Sequence, residues 1–345
     1  MRHSELLAIP DARRSAIERL GQELRAGRSV ALSTHINSDG DGCGSEVALA
    51  RLLSQLGIDA RIANPTPWPA MFDFLLGDDV RNASDDAEST IRKADLIAVL
   101  DINDLRRLGP LGPVVRASNA TKIVIDHHIP SDVPITELAL CDTAACATGE
   151  LIYDLAAVLD LELTAPVAEA LYVALLTDTG GFRFSNTSAR CHAIAGALLA
   201  AGVDPEAMYR RIYASVPIGR LHLLRDALAT LEVDPDYGIA WISVEAGAPE
   251  THGLKSEDLD GIAEHPRSVA GTKLAIFFRD LGHGKVKASF RSAGEVDVNA
   301  FAREFGGGGH AKASGALIAG TLEEVRHDVI AAARVFLEKH GAAGS

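Results

Sequence analysis

The sequence predicts an α/β protein in two parts. The first is an N-terminal doubly wound, mostly parallel sheet, and the second is a smaller C-terminal α+β domain, with a cleft between them. Three observations lead there. From residue 28 to about 185, short apolar runs alternate with helix-like segments, the pattern of strand–helix–strand units. Beyond about residue 230 the style changes to strands joined by a tight turn, a glycine run and a long final helix. The length, 345 residues, suffices for two domains that each bury a core.

Taken in order, Ser29–Ser33 (SVALS) reads as a buried strand, Gly44–Leu56 as an amphipathic helix and Ile58–Ala63 as a second short strand. Leu96–Leu100 (LIAVL) and Lys122–Ile125 (KIVI) are compact apolar strands, each followed by an aspartate. Helical periodicity follows over Gly149–Leu159, Pro166–Leu176 and Ala189–Ala200. A polar helical connection over 203–230 leads to strands at Ile239–Val244, Lys273–Arg279 and Lys285–Arg291, the last two joined by DLGHG. The helix Val298–Glu304, the glycines, the strand Ala313–Ala319 and the helix Leu322–Lys339 complete the chain before a frayed tail, GAAGS. The expected boundaries are 1–215, a helical linker at 216–235, and 236–340.

A hydrophobic share of 47% with 23% charged residues is that of a globular protein and not of a disordered one. The N-terminal MRHSELLAIPDARRSAIERL breaks its apolar residues with charges, and no apolar run is long enough to span a membrane. The expected location is the cytoplasm. Cys43, Cys141, Cys146 and Cys191 form no CxxC pair and are too sparse for a disulfide framework. A net charge of −14 argues against a surface that tracks long nucleic acid. It does not argue against nucleotide substrates, because carboxylates gathered around divalent cations present a positive face to phosphate.

Four segments place acids and imidazoles where a parallel sheet would expose them: His35-Ile36-Asn37-Ser38-Asp39-Gly40-Asp41 after the first strand, Asp101 after LIAVL, Asp126-His127-His128 after KIVI, and Asp178 at the end of an apolar helix. Ligands bind beyond the carboxyl ends of such strands. Gly40, Gly42 and Gly44 are expected to let the first loop turn tightly. Singly, each of these acids also reads as a turn or cap residue. Together they supply the oxygen and nitrogen donors that Mn, Mg and similar divalent ions take.

The order and spacing of these segments resemble the DHH phosphoesterase superfamily, named for the triplet that stands here as Asp126-His127-His128. In the C-terminal part Phe290-Arg291-Ser292 and the run Phe305 to His310, followed by Ala313-Ser314-Gly315, resemble a DHHA1-type domain. The combination resembles nano-RNases, which act on short oligoribonucleotides and phosphoadenosine phosphate. The resemblance implies two divalent cations, manganese first, with magnesium or another divalent ion as alternatives. One would be held by His35, Asp39 and Asp101, the other by Asp41, Asp101, His127 and Asp178. Asp101 would bridge ions about 3.5–4 Å apart, a spacing that lets both act on one phosphate. His128 would donate to the phosphoryl oxygens, with Asp126 and Asn37 orienting the ligands.

The glycine run carries little value in a core, and its N–H groups are expected to converge on a phosphate as a nest. Gly307, Gly308, Gly309, His310, Arg291 and Ser292 form the expected substrate grip, with Arg291 bidentate on phosphate. Lys312 and Arg279 lie on nearby elements, while Lys285 and Lys287 alternate along a strand as any solvated face does and are set aside. The expected partners are short RNA oligomers or linear and cyclic dinucleotides, without long nucleic acid or membrane, and the expected assembly is a homodimer. Alternatives are a pyrophosphatase or polyphosphatase of the same superfamily, or a non-catalytic nucleotide-binding regulator. A dinucleotide-dependent dehydrogenase is excluded, because HINSDGDGCG stands where GxGxxG is needed.

Overall fold

The computed structural model describes residues 3–27, 29–131, 133–255, 259, 261–309 and 311–341. His310, one of the expected phosphate donors, lies outside the described residues. The chain divides into two compact units, Met1–Ala214 and Ser215–Ser345, and each is described by itself.

The first unit opens with α1 (His3–Leu6) and α2 (Asp11–Ala26), whose Ile17, Leu20 and Leu24 are fully buried. A six-stranded sheet follows: β1 (Ser29–Ser33), β2 (Asp59–Ile62), β3 (Arg81–Asn82), β4 (Leu96–Leu100), β5 (Thr121–Asp126) and β6 (Ala139–Cys141). Its order is β3-β2-β1-β4-β5-β6 and every pairing is parallel. Helices cover both faces, which is why β4 is buried at all five positions and carries no polar residue. They are α3 (Gly40–Gln55), α4 (Asp73–Leu76), α5 (Ala87–Lys93), α6 (Leu111–Ala117), α7 (Thr148–Val158), α8 (Ala165–Asp178), α9 (Ala189–Ala200) and α10 (Pro205–Tyr213). Strands β3 and β6, of two and three residues, are too short to show a period and were not expected from the sequence.

One expectation needs correcting. Helix α3 begins at Gly40, four residues before the expected Gly44, with Asp39 as its N-cap. Gly40, Gly42 and Gly44 therefore lie inside a helix, and none of them has a positive φ. Their use is close approach. A Cβ at Gly40 would stand 2.4 Å from the Thr177 side chain, and one at Gly44 would stand 2.4 Å from the Ala170 carbonyl oxygen, both on α8. The glycines let α3 and α8 pack backbone to backbone, bringing Asp41 and Asp178 to one place.

The second unit is built on the sheet order β11-β12-β10-β9-β8-β7. Its strands are β7 (Glu232–Asp234), β8 (Ile239–Val244), β9 (Leu274–Asp280), β10 (Lys285–Ser292), β11 (Gly308–Gly309) and β12 (Ala313–Ala319). Only β8 and β9 pair in parallel; the other neighbours are antiparallel. One face packs α14 (Val298–Arg303) and α15 (Leu322–Gly341) through Phe301, Val329 and Phe336 onto Ile276, Phe278 and Phe290. The opposite face takes α11 (Ile218–Ala229), α12 (Ala248–Thr251) and α13 (Glu264–Arg267). Leu223 and Ala227 of α11 are buried with Ile242 and Phe277, so this part of the expected linker segment covers a sheet.

Candidate metal centre and phosphate site

In the first sheet the strand order reverses between β1 and β4, the switch point beyond which ligands of doubly wound folds bind. His35 follows β1 here and Asp101 follows β4. Asp101 adopts a left-handed φ of 60° and Asn37 one of 55°, conformations that short polar side chains tolerate best. The Asp101 N–H donates to the Ile125 carbonyl at 3.0 Å, which ties the end of β4 to β5.

The structure brings all six expected ligands together. His35 Nε2 lies 3.4 Å from Asp101 Oδ2 and 3.7 Å from Asp39 Oδ2. His127 Nε2 lies 3.6 Å from Asp101 Oδ1, 3.7 Å from Asp41 Oδ2 and 3.7 Å from Asp178 Oδ2. The two oxygens of Asp101 thus face two different His–Asp groups. Each histidine is turned by its other nitrogen, His35 Nδ1 against the Ile36 carbonyl at 3.0 Å and His127 Nδ1 against the Ala145 carbonyl at 3.3 Å. Both Nε2 atoms are buried without a hydrogen-bond partner. Nitrogen and carboxylate donors converging in this way fit divalent cations.

His128 stands beside the centre, its Nδ1 2.7 Å from Asp126 Oδ1 and 3.7 Å from Asp101 Oδ1. Asn103, which the sequence did not single out, donates to Asp126 and to the Ile129 carbonyl, and its own Oδ1 accepts the Ser131 N–H at 2.7 Å. It pins the triplet loop. Asn37 is exposed, and its N–H donates to Thr66 Oγ1 at 2.9 Å.

Crowding sets the electrostatics. Burial and the neighbouring Asp101 charge push the Asp41 and Asp178 carboxyls well above the usual range. Asp101 is as buried as Asp41, yet His35, His128 and His127 overcome that penalty and hold it below the usual range. For His35, burial opposes the charged form, but Asp101 and Asp39 outweigh it and push the imidazole up to about 10. The cluster holds more negative charge than its histidines balance, which is the condition a cation relieves.

In the second unit Lys287, Ser289 and Arg291 share one face of β10, with Arg279 opposite Lys287 and Phe277 opposite Ser289 on β9. With Leu259, Gly261 and Ala263 they line a small cavity of about 50 Å³. Lys287, set aside from sequence as part of a solvated face, belongs to this wall. Arg291 Nε donates to Glu264 Oε1 at 2.7 Å and its Nη1 to the Phe290 carbonyl at 3.0 Å. Ser292 falls one residue on, so the pleat turns it to the other face. There its buried hydroxyl donates to the Val296 carbonyl at 2.7 Å, away from the cavity.

The expected glycine nest also needs correcting. Gly308 and Gly309 form β11 and pair with Gly315 and Ser314. The N–H groups of Gly306, Gly307 and Gly309 donate to Arg303 O, Ala302 O and Asn299 Oδ1, so they do not converge on one point. What requires glycine is a left-handed φ of 71° at Gly306 and proximity at Gly307 and Gly309. A Cβ at Gly307 would stand 2.2 Å from the Gly315 carbonyl oxygen, and Gly309 has a φ of 147°.

A parallel α/β unit with paired His–Asp groups at its switch point, joined to a second, mostly antiparallel unit, defines a metal-dependent phosphoesterase. Residues 29–175 match the DHH family N-terminal domain and residues 239–339 match the DHHA1 domain. The chain belongs to the DHH phosphoesterase family. It is 32% identical over 315 residues to the bifunctional oligoribonuclease and PAP phosphatase NrnA of Thermus thermophilus, covering 90% of this chain and 91% of that protein. The exopolyphosphatase-related protein of Bacteroides fragilis superimposes with a TM-score of 0.85 at 28% identity, over 95% of this chain and 96% of that one. RecJ of Thermus thermophilus in complex with Mn2+ shares the fold at a TM-score of 0.52 and 18% identity; the match covers 96% of this chain and 55% of RecJ.

Proposed function

We propose that the protein hydrolyses short oligoribonucleotides, linear dinucleotides and 3'-phosphoadenosine 5'-phosphate, using two divalent cations, manganese first. The observation that carries this reading is Asp101, which offers one oxygen to the His35 group and the other to the His127 group. The activities named for the relative from Thermus thermophilus support the substrate class. When bound, such a pair of cations polarises a phosphoryl oxygen and makes a water acidic near neutral pH.

The remaining roles belong to side chains. His35, Asp39 and Asp101 would hold one cation, and Asp41, Asp101, His127 and Asp178 the other. Asp126 orients the His128 ring through Nδ1, and His128 would donate to a phosphoryl oxygen as charge builds there. Arg279, Lys287 and Arg291 concentrate positive charge around one cavity and would take a terminal phosphate of the substrate. Exposed Ile218, Leu221 and Leu228 along α11 support a homodimer. Among the described residues no helix is long and apolar enough to cross a membrane, and a cytoplasmic enzyme is part of the same proposal. A second reading is hydrolysis of polyphosphate or pyrophosphate, and the name of the Bacteroides fragilis neighbour favours the first of these.

A hydrolysis panel separates the two. With Mn2+ present, pyrophosphate, phosphoadenosine phosphate, linear and cyclic dinucleotides, a five-residue RNA and a long single strand are compared. The proposal expects the short nucleotides to turn over fastest and Asp101→Ala to abolish turnover and reduce bound metal. Preference for pyrophosphate or the long strand, or an active Asp101→Ala enzyme, would overturn it.

A further inference from the structure

Segment 145–149 contains no candidate ligand, yet it meets three ligands of the second cation group directly and the fourth through one side chain. The Ala145 carbonyl accepts from His127 Nδ1. The Cys146 carbonyl accepts Asn186 Nδ2 at 2.8 Å, and the same amide nitrogen donates to Asp178 Oδ2 at 2.9 Å. The Thr148 N–H donates to Asp41 Oδ2 at 2.6 Å and its Oγ1 to Asp101 Oδ1 at 2.9 Å. The Gly149 N–H donates to Asp41 Oδ1 at 3.0 Å. Five consecutive residues therefore orient Asp41, Asp101 and His127 directly and Asp178 through one amide.

These contacts leave Asp41 with spare acceptor capacity on one oxygen only. Asp41 Oδ1 already takes the Gly149 N–H and the Ser45 hydroxyl, at 3.0 and 3.1 Å, which uses both its lone pairs. Oδ2 takes the Thr148 N–H alone and points at His127 Nε2. Asp41 is thus set to bind a cation through Oδ2 only. The two N–H groups that hold it open α7, an eleven-residue helix whose N-cap position, Ala147, supplies no capping side chain. The metal ligand serves as the cap, in a position where the helix dipole favours a carboxylate.

The segment is itself anchored. The Cys146 N–H donates to Glu150 Oε2 at 3.1 Å, and Glu150 Oε1 accepts from Arg13 Nη1 at 2.7 Å and Arg190 Nε at 3.1 Å. Arg13 and Arg190 also meet Asp154, so a nearly solvent-free ion cluster ties α2, α7 and α9 behind the loop. The first cation group is built otherwise. Asp39 Oδ1 caps α3 by accepting the Asp41 and Gly42 N–H groups, and His35 leans on its neighbouring carbonyl.

We propose that residues 145–149 set the geometry of the second cation site, with Thr148, which holds the Asp101 oxygen that faces His127, and Asn186 as its positioning side chains. The inference rests on the two-cation reading above. Thr148→Val removes the hydroxyl that fixes Asp101 but keeps the N–H that fixes Asp41. Asn186→Ala frees Asp178. The full-length protein is titrated with MnCl2 by calorimetry and by electron paramagnetic resonance, with thermal melting in EDTA run alongside. Wild type should bind two Mn2+ per chain and show the spectrum of a magnetically coupled pair. Both variants should keep the first ion and bind the second roughly 10- to 100-fold more weakly, with loss of the coupled spectrum. Turnover of a dinucleotide should fall while KM stays within about twofold, and Thr148→Ser should restore both. Wild-type affinity for the second ion in both variants would overturn the inference, as would equal weakening of both ions without rescue by serine. A single ion in the wild type would instead defeat the two-cation reading, and this inference with it.

Discussion

Substituting Gly44 with alanine adds one methyl group at the contact between the helices that carry Asp41 and Asp178. The new Cβ would lie 2.4 Å from the Ala170 carbonyl oxygen and 3.0 Å from the Ala174 nitrogen, both main-chain atoms of α8. An ordinary carbon–oxygen contact is about 3.3 Å or more, so the helices must part by roughly 1 Å. Overpacking of this kind costs about 1–3 kcal/mol, and the better helix propensity of alanine returns about 1 kcal/mol. The expected net loss is about 1 kcal/mol, or roughly 2–4 °C in melting temperature for a unit of this size. Function should suffer more, because displacing a site by 1 Å can cost about a hundredfold in rate. Melting in EDTA gives the first quantity; Mn2+ titration and dinucleotide turnover give the second. Gly196→Ala is the control: a Cβ there would meet nothing within 4 Å and the φ is not positive, so it should be neutral or stabilising. If Gly44→Ala melts at or above wild type and keeps full metal affinity, the reading of α3 and α8 as helices locked in contact is wrong.

Two further substitutions test the other unit and the floor of the metal site. Arg291→Ala should raise KM for phosphorylated short substrates by about tenfold or more and leave kcat on an artificial single phosphodiester unchanged; an equal fall in kcat on both would refute a remote grip. Glu46 is fully buried; its Oε2 accepts Asn64 Nδ2 at 2.8 Å and its Oε1 has no partner. Burial, only partly offset by Asn64, raises its carboxyl from 4.5 to about 8. The folded protein therefore keeps a proton that the unfolded chain releases, and this contribution to stability, complete below about pH 4.5, is lost as pH rises through about 8. Glu46→Gln should flatten that loss, by at most about 5 kcal/mol at 1.36 kcal/mol per pKa unit, in urea unfolding of the metal-free protein between pH 5 and 8. An unchanged slope would show that Glu46 is ionised throughout.

The strands beneath the metal centre were legible because helices cover both of their faces. A strand buried on both sides must be apolar throughout, and an aspartate at its end then stands out. That is why Asp101 and Asp126 could be read from LIAVLD and KIVID. The glycines were legible as glycines but not in their use. A glycine that permits a left-handed turn and one that permits close packing look alike in sequence; HINSDGDGCG proved to be the second kind, while FGGGGH holds both, a left-handed Gly306 and closely packed Gly307 and Gly309. Ser292 came in with the Phe290-Arg291-Ser292 resemblance, and only the register of β10 shows that the pleat turns it away. The 145–149 segment gave no signal, since it acts through main-chain groups and a threonine at a helix start, where threonine is common for unrelated reasons.

The same geometry explains how four aspartates are gathered in one cluster. Asp39 holds the α3 N-terminus with Oδ1 and turns Oδ2 toward His35, while Asp41 accepts an α7 N–H on each oxygen and turns Oδ2 toward His127. Asp178 is held by Asn186 and Asp101 by Thr148. The carboxylates that would repel one another are thus each committed to a donor outside the cluster, and two of those donors carry the positive end of a helix dipole. Removing the donors would leave the repulsion uncompensated, and the acids could then swing apart into solvent. A cation entering this pocket meets oxygens and nitrogens that are already aimed, so its binding free energy need not be spent on ordering them. That is the physical difference between this centre and a surface cluster of acids of equal charge.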